Sequence, residues 1–272
     1  MPAEEILRLD RKVRAAIGIP PRSAAQPWSQ PEVKPEHTIS IRYSFDSEIT
    51  VKDARVALET AEDSIILFDG NPVELKIDGY FTDKFIKTVP IPTITPGKHT
   101  ITITQPISER TYTEASFLIG SFGVKVCGTE KTLVSLPDKL YFGSITNQAL
   151  PFYGANVTYN CEFTADEDCI AVLHANDYRG ALLSVKCDGE ESGKIVYAPY
   201  NVEVPVKKGK HTFEITLFAS RINCFGATHN ADPDWHWWGP NAWFTEGDKW
   251  SYEYRLRNVG IMRSPVISLI KK

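Results

Sequence analysis

The sequence predicts an all-β protein of two tandem antiparallel β-sandwiches, preceded by one short helix and a proline-rich connector. Three observations predict it. From His37 onward, runs of five to twelve residues alternate or stay apolar and are rich in Val, Ile, Thr, Phe and Tyr. Turn chemistry separates the runs, as in Asp69-Gly70-Asn71-Pro72, Asp78-Gly79 and Asp188-Gly189. The chain also repeats itself: "PGKHTITIT" at 96–104 returns as "KGKHTFEIT" at 208–216, and each lies downstream of an Asp-Gly turn.

The helix comes first. Over residues 3–17, Ile6, Leu9, Val13, Ala16 and Ile17 fall at helical spacing, with charge on the other face. An isolated helix of this length is marginal in water, so its stripe is expected to lie on a surface. Gly18 ends it, and "IPPRSAAQPWSQPEVKPE" brings five prolines in eighteen residues, an extended connector. Residues 1–36 thus form helix and connector.

The first sandwich is expected over 37–133. Its strands are "TISIRYSF", "VKDARVALET", "SIILFDG", "HTITITQ" and "ASFLIGSFGVKV". The second is expected over 134–272, from "NVTYNCEF", "CIAVLHAN", "ALLSVKCDG", "GKIVYAPYNVEV", "HTFEITLF" and "WSYEYRLRNVGIM". Strands in this number with no helices between them pack as sheet on sheet.

Composition narrows the function. A net charge of −4 without a basic run gives no reason to expect a nucleic-acid partner. No apolar stretch reaches the roughly 18–20 residues that span a bilayer, so no membrane role is expected. "MPAEEILRLDRKVRAA" lacks the apolar segment of a secretion signal. The five cysteines form no CxxC pair, which suggests neither a disulfide framework nor a zinc knuckle. A reducing, cytoplasmic setting follows as the expectation. No nucleotide-binding glycine pattern or serine nucleophile elbow appears, and no cofactor is expected.

Five of the six tryptophans crowd into Trp235, Trp237, Trp238, Trp243 and Trp250. Most stand in "HNADPDWHWWGPNAW", residues 229–243, among His229, Asn230, Asp232, Asp234, His236 and Asn241. Indole faces stack on the C–H faces of pyranose rings while amides, carboxylates and imidazoles bond the hydroxyls, so these residues suit a sugar platform. The same loop would also serve as a lid, its aromatics folded into the core. Trp238 and Trp250 are expected as buried anchors, and Trp235 or Trp237 as the exposed platform. A metal site from His229, Asp232, Asp234 and His236 matches no zinc helix motif and lacks the acidic-glycine rhythm of an EF-hand. A carboxylate pair from Asp232 or Asp234 with Glu246 or Asp248 has no supporting context. Arg179 and Arg221 stand at strand ends beside turns, placed to tie loops or to meet a sugar hydroxyl or carboxylate.

The second half carries a recognisable order. "YRG" leads to the Asp188-Gly189 turn, then to Tyr197-Ala198-Pro199-Tyr200. A "GKHTFEITLF" strand follows, ending in a corner with Arg221, Asn223, Phe225 and Gly226. This resembles the sugar-binding, jelly-roll accessory domains of glycoside hydrolases, the galactose-binding-like sandwiches of family 2 β-galactosidase-type and rhamnosidase-like enzymes. "DGNPVELKIDGYFTDKFIKTVPIPTITPGKHTITIT" is similar to the same sandwich, and the tail from His229 looks like the end of large bacterial glycosyl hydrolases. The resemblance covers about 230 residues, everything after the connector. It implies jelly-roll folds, carbohydrate as ligand and a catalytic domain as partner.

A catalytic (β/α)8 barrel needs about 250 residues of alternating strands and helices, and none is present here. The chain therefore reads as a non-catalytic accessory region of a glycoside hydrolase that positions or completes a sugar site. A free-standing carbohydrate-binding protein is the alternative. Less favoured is a self-sufficient glycosidase using carboxylates of the 229–250 loop. The sugar-binding candidates are Trp235, Trp237, His229, Asn230, Asp232, Asp234, His236, Arg179 and Arg221.

Overall fold

A computed structural model describes residues 3–20, 34–109, 111, 113–232 and 247–271. The chain divides into two units: Met1–Leu136 with Phe225–Arg255, and Pro137–Cys224 with Leu256–Lys272. Both are built of strands, so the all-β reading holds at that level. No helix among the described residues is long and apolar enough to cross a membrane.

In the first unit, helix α1 (Ala3–Ile17) precedes ten strands. They are β1 (His37–Ser47), β2 (Arg55–Leu58), β3 (Ile65–Phe68), β4 (Asn71–Pro72), β5 (Gly79–Phe81), β6 (Asp83–Pro90), β7 (Gly97–Ile107), β8 (Phe117–Ile119), β9 (Gly123–Cys127) and β10 (Glu130–Val134). One sheet runs β4-β3-β7-β1-β10-β9, the other β5-β6-β2-β8. The longest ladder joins β1 to β7 from His37↔Ile107 to Ser47↔Gly97. Along β7 the alternation of "HTITITQPI" is read out directly: His99, Ile101, Ile103, Gln105 and Ile107 are buried, and the residues between them less so. One core draws on both sheets, with Val56, Leu58 and Val89 from one and Ile66, Ile101, Ile103 and Leu133 from the other.

The second unit contains β11 (Val157–Ala165), β12 (Cys169–His174), β13 (Tyr178–Arg179), β14 (Leu182–Cys187), β15 (Glu190–Ile195), β16 (Asn201–Val206), β17 (Gly209–Phe218), β18 (Gly260–Ile261) and β19 (Val266–Lys271). Its sheets run β11-β17-β14-β15, β16-β12-β19 and β13-β18. Phe213, Ile215 and Leu217 of β17 are fully buried, facing a core shared with Ala171 and Leu173 of β12.

Three expectations need correction. The segment Phe225–Arg255 belongs to the first unit, whereas the sequence reading placed it with the second. Aromatic packing and backbone bonds hold it there: Phe225 packs on Phe81 and Phe117, Tyr254 N–H donates to Gly128 O and Arg255 N–H to Thr228 O. The expected strand "WSYEYRLRNVGIM" is irregular except for a bridge at Trp250 and the two residues of β18, because its backbone groups serve these separate partners. Conversely β6, β10 and β19 were not anticipated. Lys84 and Lys87 break up the apolar pattern of β6, and β19 is exposed along most of its length.

Helix α1 spans the expected residues, and most of its connector (21–33) lies outside those described. The face it buries is not the apolar stripe. Ile6, Asp10 and Arg14, at i, i+4 and i+8, are the buried positions; Leu9, Val13 and Ile17 are half-buried and Ala16 is exposed. Arg14 explains the choice. Its guanidinium donates to Asp10 Oδ2 at 2.7 Å, to Ser108 O at 3.0 Å and to Thr111 O at 2.6 Å. The two carbonyls follow the end of β7, and a planar five-donor group is suited to satisfying them together.

Candidate functional site

The internal repeat is resolved atom by atom. Asp69-Gly70 and Asp188-Gly189 form two-residue hairpin turns, between Phe68↔Asn71 and Cys187↔Glu190 respectively. Both residues of each turn have positive φ: 49° and 81° in the first, 53° and 86° in the second. Only Gly, Asn and Asp adopt that conformation readily.

Each turn's aspartate then reaches the repeated His-Thr. Asp69 Oδ2 meets His99 Nδ1 at 2.7 Å while Oδ1 accepts from Thr100 N–H at 2.7 Å. Asp188 Oδ2 meets His211 Nδ1 at 2.7 Å and Oδ1 accepts from Thr212 N–H at 2.9 Å. The other ring nitrogen lies against a carbonyl in both, Thr95 O at 2.6 Å and Lys207 O at 2.7 Å. The hydrogen bond to His211 lowers the Asp188 pKa, and the same bond raises that of His211.

Cys187, Asp188 and His211 bring three possible metal-ligand atoms within 4.8 Å of one another. The first unit argues against a metal role. There Phe68 occupies the position of Cys187, yet the Asp–His–carbonyl geometry is unchanged. Both imidazole nitrogens are already bonded, and burial pushes the Cys187 thiol up to about 11. The arrangement is a brace between a hairpin turn and the start of the long strand.

The residues singled out around the tryptophan-rich loop fall into three groups. Asp234, Trp235, His236 and Trp237 lie outside the described residues, as do Trp238, Asn241, Trp243 and Glu246. Arg179 and Arg221 belong to the second unit. Arg179 is largely exposed and bonds Asp177 Oδ1 and Tyr178 O, both at 3.1 Å. Asp177 also pairs with Arg263 at 3.1 Å. Arg221 is exposed and its side chain covers Gly154, where an added Cβ would come 2.9 Å from Cγ. The neighbouring Asn223 is a buried clamp: its amide both donates to Arg257 O and accepts from Arg257 N–H, at 2.8 Å each.

His229, Asn230 and Asp232 do come together, in the first unit. The stretch 229–231 runs antiparallel to 249–251, with Ser251 N–H donating to His229 O, Ala231 N–H to Lys249 O, and Asn230 bridged to Trp250. His229 is buried and stacks on Trp250, centroids 4.9 Å apart, and against Tyr254 at 4.7 Å. Its Nδ1 faces Ser251 O at 2.9 Å, so that nitrogen carries the proton. Nε2 lies 3.7 Å from the Glu5 carboxylate. Burial lowers the His229 pKa, Glu5 opposes that, and Lys131 and Arg8 reinforce it.

Arg8 lies over the Trp250 ring at 4.3 Å and the Tyr252 ring at 5.8 Å. Asp232 N–H donates to Asn230 Oδ1 at 2.9 Å, and its carboxylate pairs with Lys249 at 3.3 Å. Tyr252 stands edge-on to Trp250 and is 69% exposed, an aromatic surface beside polar groups. Burial raises the pKa of Tyr43, to about 12, and of Tyr254, and Glu5 adds to both.

Glu5 and Arg8 were missed because they sit on the charged face of α1, which helical periodicity assigns to solvent. Trp250, expected to be buried, is half-buried and occupies the centre of this cluster.

The sequence matches no family model and no curated protein. Among solved structures, a rhamnosidase from Novosphingobium sp. PP1Y aligns with 86% of this chain at 13% identity and a TM-score of 0.33, a likeness too distant to define a shared family. The chain spans 22% of that enzyme's length.

Proposed function

We propose that this chain is a non-catalytic, carbohydrate-binding region of two tandem β-sandwiches, the accessory part of a glycoside hydrolase. The observation that carries the reading is the surface at Trp250 and Tyr252. An exposed tyrosine and a half-buried indole stand beside Asn230, Asp232 and Arg8, and that mixture of flat aromatic and planar polar groups suits a pyranose. Trp235, Trp237, Asp234 and His236, neighbours in sequence, are proposed as further sugar contacts. Arg179 and Arg221 would be secondary contacts in the second unit.

The non-catalytic half of the reading rests on the sequence, which holds no barrel-length run of alternating strands and helices, and the carboxylates with shifted pKa are compatible with it. Asp53, Asp78 and Asp188 are all held low, Asp53 chiefly by bonds from Ser121, Asp78 by Thr88 and Arg55 against its desolvation, and Asp188 by His211. Each is a structural acceptor. A glycosidase general acid needs the opposite shift.

A glycan array followed by calorimetry on the purified chain tests binding, with Tyr252→Ala as the discriminating variant. Loss of sugar affinity at unchanged melting temperature supports the reading. Full affinity in Tyr252→Ala removes this surface from it, and turnover of nitrophenyl glycosides that vanishes in Asp232→Asn replaces it with a hydrolase.

A further inference from the structure

The chain contains three Asp-Gly pairs, Asp69-Gly70, Asp78-Gly79 and Asp188-Gly189. Such a pair is open to self-attack, because glycine has no Cβ to shield its backbone nitrogen. That nitrogen attacks the aspartate Cγ: a C–N bond forms, the amide proton is lost and one carboxyl oxygen leaves as water. A second water then opens the succinimide at the α-carbonyl, and the chain continues through the β-carboxyl carbon as isoaspartate. The extra backbone methylene is incompatible with a two-residue hairpin turn.

The first step has two requirements. The carboxyl group must turn its carbon towards the glycine nitrogen, and the departing oxygen must be free to take a proton. In all three pairs both oxygens are held instead. Asp69 Oδ2 meets His99 Nδ1 and Oδ1 accepts from Thr100 N–H, each at 2.7 Å. Asp188 Oδ2 meets His211 Nδ1 at 2.7 Å and Oδ1 accepts from Thr212 N–H at 2.9 Å. Asp78 lies outside the repeat and is held by different groups: Arg55 Nε donates to Oδ2 and the Thr88 hydroxyl to Oδ1, each at 2.7 Å.

Burial is not what shields these carboxylates, since the side chains of Asp69, Asp78 and Asp188 are 36%, 24% and 50% exposed. The same bonds make the neutral acid, the form that sheds its oxygen as water, scarce at two of the sites. Against the desolvation that opposes them, Thr88 and Arg55 lower the Asp78 pKa, and His211 and Thr212 N–H lower that of Asp188.

We propose that these contacts are chemical locks: by fixing both carboxylate oxygens they suppress isomerisation of every Asp-Gly bond in the folded chain, which then proceeds only through local opening. The Asp78 pair carries the most weight, because an arginine and a hydroxyl reproduce there what a histidine and a backbone amide do in the two repeats.

The test ages the full chain at neutral pH and measures isoaspartate at each pair by peptide mapping, with free peptides spanning the three pairs as the unlocked reference. Each site in the folded chain should isomerise at least about tenfold more slowly than its peptide. His211→Gln should raise the rate at 188 alone and His99→Gln at 69 alone, the untouched pairs serving as internal controls. A variant that unfolds raises all three sites together. Arg55→Gln then decides, since it replaces a side chain that is 39% exposed and should raise the rate at 78 alone. Equal rates in the folded chain and the peptides overturn the proposal. So do variants that stay folded and keep the slow rate, because the stiffness of the turn, and not the lock, then protects the bond.

Discussion

His211 holds Asp188 at 2.7 Å through Nδ1 and Lys207 O at 2.7 Å through Nε2, so both ring nitrogens face pure acceptors. The ring is only 12% exposed. That geometry is fully satisfied only by the imidazolium, which is why the pKa of His211 is raised. Linkage gives the sign. A raised folded pKa means a contribution fully present below the ordinary value near 6.5 and lost as pH rises through the folded one. Asp188 is lowered, so its contribution is present above about 3.9 and lost as pH falls through its folded value. The second unit should be most stable between roughly pH 4 and 6.5 as far as this pair is concerned. Denaturant midpoints across pH 3–9 in wild type and His211→Gln check this. The variant should show a flatter profile and lose about 1–2 kcal/mol at pH 5.5.

The same brace predicts indifference to zinc. Added Zn2+ should leave the melting temperature unchanged, and Cys187→Ala should leave the His211 titration by NMR where it was. A zinc-dependent rise in melting temperature that Cys187→Ala abolishes would restore the metal reading.

Arg14 and Asp10 form a buried ion pair, 1% and 5% exposed. Removing the cation alone strands a buried carboxylate, so Arg14→Ala should cost about 3–5 kcal/mol. Asp10→Leu with Arg14→Met should recover much of that, although Ser108 O and Thr111 O then lose the guanidinium. A double-mutant cycle by chemical denaturation measures it. Near-additive losses would mean the two side chains act independently.

Helix α1 is anchored within its own unit by these bonds, so its amides from Ile6 to Arg14 should exchange slowly in the isolated monomer. Exchange near the random-coil rate over those residues would contradict the anchoring and point to a surface supplied from elsewhere.

The strands that sequence periodicity made legible were those whose two faces differ. β7 and β17 alternate cleanly between core and surrounding residues, and their shared "GKHT" with an upstream Asp-Gly turn correctly marked a repeated unit of structure. What periodicity could not show was which face of α1 is buried. Hydrophobicity favoured Ile6, Leu9, Val13, Ala16 and Ile17, and of these only Ile6 is buried, beside Asp10 and Arg14, whose guanidinium bonds the Ser108 and Thr111 carbonyls after β7. The candidate site was legible at His229 and Asn230. It was not legible at Glu5 and Arg8, more than two hundred residues away in sequence, where only folding shows that a charged helical face meets Trp250.

The return of Phe225–Arg255 to the first unit makes both units discontinuous. During synthesis from the N-terminus, β1 to β10 must wait through the whole of 137–224 before the residues that receive Glu5 and Arg8 exist. For that interval the polar face of α1 has Ser108 and Thr111 to bind but no His229, Trp250 or Tyr254. The second unit likewise lacks β18 and β19 until residues 260–271 emerge. Neither half can be cut out at a single point, and a truncation near residue 133 should yield two incomplete pieces rather than two domains.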